Sequence, residues 1–220
     1  MALRPVASVP AIVAALAPHR DRRSNRHEPP TASEYFAPRF TSYARVVNSV
    51  ESSSGEPVRW STFANRPLDA DTSFSELREQ PNDEPEPEIG TIDREVAREL
   101  SRVLARHTST PDECYFLAWD GYGDDVPKTA TTILIAPYDR RMLVLGGSVE
   151  DAIEPFEDGP HGRRAQWWIP GDGAWSVGND IYGNSVYVAG SEAAISDILS
   201  STALESFRAI ASTRLIGEEL

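Results

Sequence analysis

The sequence predicts an α+β domain with a mostly antiparallel sheet of about five to six strands, a central helix over about 92–107, and helices near the C-terminal end. Three observations lead there. Residues 91–123, TIDREVARELSRVLARHTSTPDECYFLAWDGYG, read as a helix, a tight turn and a strand apolar enough to be covered on both faces. Short β-rich runs then follow one another across strong turn signals. Strict alternation of strand and helix is missing, which disfavours a doubly wound dinucleotide-binding sheet.

Residues 1–33 are expected to form a poorly ordered basic leader, and 34–215 a single domain. Within the leader, residues 11–17 allow a turn or two of helix, but RDRRSNRHEPP (20–30) has no apolar period. In YFAPRF (35–40) the aromatic rings would dock and Pro38 would keep the backbone extended. TSYARVVNSV (41–50) is rich in β-branched residues and predicts the first strand. Val58, Trp60, Phe63 and Ala64 favour a short helix. Residues 66–90 are acidic and proline-rich, the composition of an exposed loop.

In the central helix, Ile92, Val96, Leu100, Val103, Leu104 and His107 recur at steps of three and four, and so share one face. Arg94, Glu95, Arg98, Glu99, Arg102 and Arg106 fill the others, with Glu95–Arg98 and Glu99–Arg102 spaced to pair. Thr91 is the expected N-cap, with Asp93 complementing the helix dipole. The turn formers of TSTPD (108–112) end the helix, and CYFLAW (114–119) is the buried strand. TTILIA (131–136) and RMLVL (141–145) predict an antiparallel hairpin across Pro137, Tyr138, Asp139 and Arg140. After Trp167, Trp168 and Ile169, the PGDG turn (170–173) leads into a strand pair at 174–179 and 185–189. Ser191 caps a helix that turns Ile195, Ile198 and Leu199 inward, and a second short helix carries Leu204 and Phe207.

The 220 residues carry 34 acids against 21 bases, a net charge of −13. Residues 1–50 contribute +4 (seven Arg, three acids), so the body beyond them is −17. Such a body repels nucleic acid and anionic membrane; its charge serves solubility or suits a basic protein partner. The lone Cys114 allows no internal disulfide. No apolar run approaches the ~18 residues of a membrane span. The Arg-rich segment follows the apolar residues 6–17 rather than preceding them, the reverse of a secretory signal, so a cytoplasmic location is expected. Nothing in the sequence specifies an oligomeric state.

Catalytic signatures are missing: no P-loop, no GxGxxG after a strand, no HExxH, no GxSxG, no paired CxxC. No cofactor is expected. His19, His27, His107 and His161 are too scattered to share a metal unless distant loops converge. Two constellations remain. In the corner Trp119, Asp120, Gly121, Tyr122, Gly123, Asp124 and Asp125, three carboxylates beside glycines suit a hard cation or acid–base work. They equally suit a polar turn whose glycines take positive φ. Trp167, Trp168, Trp175, Asp180 and Tyr182 would join that corner as an aromatic recognition groove, or else pack as core and rim. Two functions follow: a non-enzymatic protein-binding domain with an acidic, aromatic-rimmed surface, or a small metal-dependent hydrolase using Asp120, Asp124, Asp125 and Asp180.

The blocks YFAPRFTSYARV, ELSRVLARHTSTPDECYFLAWDGYG and WWIPGDGAWSVGNDIYGNSVYVAGS resemble an actinobacterial family of soluble proteins, to which no activity is assigned. The resemblance runs from Tyr35 onward. More remotely, PDECYFLAWDGYG together with YVAGSEAAISDIL is similar to the SMI1/KNR4-like (SUKH) immunity proteins, which implies an immunity-like binding role. In that superfamily the first run is helical, whereas here it reads as a strand.

Overall fold

The apolar run Cys114–Trp119 is a strand in the interior of a large sheet, and the rest of the chain is arranged about it. The computed structural model describes residues 3–17, 29–52, 55–77, 86–123, 127, 129–135, 139–157 and 162–215. In chain order these form β1 (Arg4–Pro5), α1 (Ala11–Leu16), α2 (Ala32–Tyr35), β2 (Ser42–Val47), β3 (Val50–Glu51), β4 (Pro57–Val58) and α3 (Arg94–Leu104). They continue as β5 (Cys114–Trp119), β6 (Thr132–Ile135), β7 (Arg140–Gly147), β8 (Trp167–Pro170), β9 (Ser176–Asn179), β10 (Ser185–Gly190), α4 (Glu192–Ser200) and β11 (Ser206–Ala209).

Nine strands make one sheet in the order β1-β7-β5-β8-β9-β10-β2-β11, with β6 also on β7, while β3 and β4 pair separately. Every pairing in the large sheet is antiparallel. The α+β class is therefore as the sequence predicts, with more strands than the expected five to six.

Alternation along the strands sends two sets of side chains to opposite faces. Ala44, Val46, Cys114, Phe116, Ala118, Leu143, Leu145 and Trp168 pack beneath α3 and α4, where Val96, Leu100, Val103, Leu104, Ile195 and Ile198 meet them. Tyr43, Leu117, Met142, Val144, Trp167, Ile169 and Tyr187 form the other face, covered by Val13, Leu16, Tyr35, Phe36 and Phe40. Thus β5 is covered on both sides, as its unbroken apolar sequence requires.

Helix α3 buries Val96, Leu100, Val103 and Leu104 of the expected stripe. Ile92 is buried just ahead of it, and His107 falls in a 3-10 turn beyond it and is not buried. Both i,i+3 ion pairs form on the outer side of α3. Its cap differs. Asp93 accepts from the N–H groups of Glu95 and Val96 at 2.8 and 3.1 Å, while Thr91 is buried and its Oγ1 accepts from Arg164 N. Ser191 caps α4 as expected, accepting from Ala194 N.

Three regions depart from expectation. The expected leader is partly built into the fold: β1 pairs with β7, and α1 buries Val13 and Leu16 against the second face. Tertiary contact, not local periodicity, orders that segment; residues 18–28 lie outside the described residues. The expected second C-terminal helix is β11, since the free edge of β2 supplies ladder partners that two apolar residues three apart could not reveal. The expected helix at 58–64 is the short β4 followed by a 3-10 turn at Trp60–Thr62, whose Trp60 and Ser61 N–H groups donate to the Glu205 carboxylate at 2.6 and 2.9 Å. In the acidic loop, Phe74 is buried against Trp60 (rings 5.0 Å apart), and 78–85 lie outside the described residues.

Candidate functional site

The corner begins where β5 leaves the sheet. Trp119 N donates to Gln166 Oε1 at 2.9 Å, and the wholly buried Gln166 donates from Nε2 to Gly90 O at 2.8 Å. A 3-10 turn over Asp120–Tyr122 follows and ends at Gly123, with φ of 98°. Gly121 lies flat on the Trp119 indole, which a Cβ would strike at 2.2 Å. The turn is therefore shaped around an aromatic ring, and glycine is required for that contact rather than for a cation.

Tyr122 stands edge-on to Trp119 with ring centroids 4.9 Å apart, and its hydroxyl donates to Gly90 O at 3.0 Å. The Arg163 guanidinium lies 4.3 Å above the Tyr122 ring, a cation–π contact. Burial pushes the Tyr122 phenol up to about 12, against the opposing pull of Arg163. The hydroxyl is therefore a structural donor at neutral pH. Gly90 completes this junction at φ 75°: its N–H donates to Gly183 O at 3.0 Å, and a Cβ would come within 2.5 Å of Ile181 O.

Strand parity distributes two arginines around this end of the sheet. Arg140 and Arg141 open β7 on opposite faces. Arg141 Nε donates to the Asp120 carboxylate, while Arg140 Nη1 donates to Asp180 Oδ2 at 2.7 Å. The second pair is the more sheltered, its side chains 11% and 19% exposed. Arg140 also lies 5.3 Å from the centre of the Tyr182 ring, and Tyr182 N donates to Asp180 Oδ1. Beneath them Tyr35 is buried against Trp167, and its phenol is raised well above the usual range by burial and then by Asp180, with Arg140 opposing.

The structure thus gathers Trp119, Asp120, Tyr122, Asp180 and Tyr182, but not the three other tryptophans. Trp167, Trp168 and Trp175 are fully buried, and the Nε1 groups of Trp168 and Trp175 donate inward to Ala165 O and Leu104 O. They are core, not the walls of a groove. Asp124 and Asp125 lie outside the described residues, as do His19, His27 and His161. His107 sits apart and contacts Asp197 at 2.9 Å. A cation approaching Asp120 or Asp180 would have to displace a guanidinium from each. Among the described residues no group of three or more His, Cys, Asp or Glu side chains is placed to hold a metal ion.

Sequence reasoning missed the arginines and the apolar rim. Of the four exposed large hydrophobic residues among those described, Ile89 (38% exposed) lies next to Gly90 and Tyr182 (43%) beside Arg140, while Leu134 (60%) stands opposite Arg141 in β6. Arg141 at the start of the predicted strand carried a signal, but the sequence reads Arg140 as part of the turn, whereas the strand begins with it and sends the two to opposite faces. The rim carried none, because Ile89 and Tyr182 are far apart in sequence. A separate groove of about 140 Å³ lies between Val58, Asp93 and Glu205. Its carboxylates already serve other ends: Asp93 caps α3 and Glu205 caps the Trp60 turn.

Comparison with protein-family models, curated proteins and solved structures found no match to this chain.

Proposed function

We propose that this protein is a non-enzymatic protein-binding domain, immunity-like in presenting a preformed surface to a basic protein partner at the exit of β5. The observation that carries the reading is the exposure of Ile89 and Tyr182 on the two segments joined at Gly90, with Leu134 exposed on β6 beside them in the sheet. Apolar side chains left in water beside satisfied polar groups favour a partner that covers them. The carboxylates nearby support binding over chemistry, because Asp120 and Asp180 are each engaged by an arginine.

Charge supports a basic partner. The chain is −13 overall, a field that attracts a cationic partner.

The test is capture of a partner from native extract by the intact chain and by Tyr182→Ala and Leu134→Asp. The reading predicts a basic protein that is retained at low salt, released as salt rises, and lost from both variants while their melting temperatures hold. Retention by both variants would contradict it.

A further inference from the structure

The two ends of the nine-stranded sheet are not equally protected. At one end β11 carries Arg208, whose guanidinium is held by Glu192 at 2.7 and 3.0 Å, so a charged, tethered side chain guards that strand. At the other end the outer edge of β7 is covered by β1 and β6 laid end to end, joined where Thr131 N donates to Val6 O at 2.9 Å. β1 is two residues long and contains Pro5, which has no N–H to offer. β6 has none of these defences. Its sequence is Thr-Ile-Leu-Ile, without charge, proline or glycine, and among the described residues no strand pairs with its outer side.

The ladder fixes which backbone groups face outward. Val144 N donates to Thr131 O at 2.8 Å, so by alternation Ile133–Met142 and Ile135–Arg140 are the bonded pairs. The N–H and C=O groups of Thr132 and Leu134 therefore point away from β7, beside a Leu134 side chain 60% exposed. Such an edge is a template for another strand.

We propose that the outer edge of β6 receives an extended, basic segment of a protein partner as an added strand, which specifies how the binding surface proposed above is used and rests on that reading. The backbone of Thr132 and Leu134 supplies the hydrogen bonds, Leu134 the apolar contact, and the net charge of −13 attracts a cationic segment. A second copy of the chain is the poorer occupant. Self-pairing over four residues buries far less than the ~1,200 Å² of a stable interface, and it brings together two bodies of like charge.

The probe is a short end-blocked synthetic peptide alternating isoleucine with lysine, titrated by fluorescence anisotropy and followed by amide exchange. Expected are saturable binding, new protection at the Thr132 and Leu134 amides, and at least about tenfold weaker binding when alternate peptide nitrogens are methylated or lysine is replaced by glutamate. Leu134→Pro removes one outward N–H while sparing the ladder to β7, and should weaken binding similarly. Should that variant not fold, the methylated peptide gives the same comparison on the unaltered chain. Absence of binding, protection confined to other residues, equal affinity for the methylated peptide, or a sedimentation shift showing that copies of the chain occupy the edge would overturn the proposal. If these fail while Tyr182→Ala still abolishes partner capture, the strand addition falls and the binding surface stands.

Discussion

One face of the sheet lies under α3 and α4, eleven and nine residues long, whose apolar stripes run the length of each helix. The other lies under α1 and α2, only six and four residues long, together with Phe36 and Phe40 from the turns between elements. Both faces hold fully buried tryptophans, Trp168 on the first and Trp167 on the second. The shorter a helix, the more of its order comes from the surface it packs on. Stability on the second face should therefore depend on individual large side chains more than on helix formation.

The largest effects should test whether the two faces are equally core. Trp168→Ala and Trp167→Ala should each cost about 3–5 kcal/mol in urea unfolding. A cost below about 1 kcal/mol for Trp167→Ala would mean that the second face is loosely covered. Leu16→Ala is next, at roughly 2–5 kcal/mol, because Leu16 is 2% exposed beneath the sheet. A loose leader would instead give a value within about 0.5 kcal/mol of zero.

A smaller effect distinguishes the caps of α3. Asp93→Ala should cost about 1 kcal/mol, since two N–H groups lose their acceptor. The smallest concerns pH and the turn that follows β8. Burial pushes the Asp172 carboxyl up, but hydrogen bonds from Ser109, Ala174 and Thr108 outweigh it and hold the group below the usual range. A carboxyl depressed in the folded state stabilises above its unfolded value, about 3.9, and loses that contribution as pH falls through the folded value. Asp172→Asn should therefore be less stable than the parent at neutral pH, with the gap in melting temperature closing as the pH drops below about 4.

The same contrast explains what the sequence discloses. β5 and α3 are legible because each satisfies a local rule: an apolar run too short for a helix, and a period of three and four ending at Pro111. The short helix α1 is legible but its place in the core is hidden, because Val13 and Leu16 pack with Trp167 and its neighbours, far along the chain. β11 is hidden because an edge decides it. At the corner, the acidic and aromatic residues are visible in sequence, but their partners are not. Asp120 meets Arg141 through strand pairing and Asp180 meets Arg140 across the sheet end, so carboxylates that read as ligands or catalysts turn out to be tied. Trp167, Trp168 and Trp175 mislead in the same way, since an aromatic near an acid in sequence need not share its surface.

That Asp120 and Asp180 are already held by arginines is most directly tested by melting the parent and Asp180→Asn with and without magnesium or calcium. The account predicts that neither ion moves the parent's midpoint and that Asp180→Asn lowers it equally in every condition, through loss of the Arg140 pair. A rise in the parent with either ion, abolished in Asp180→Asn, would contradict it.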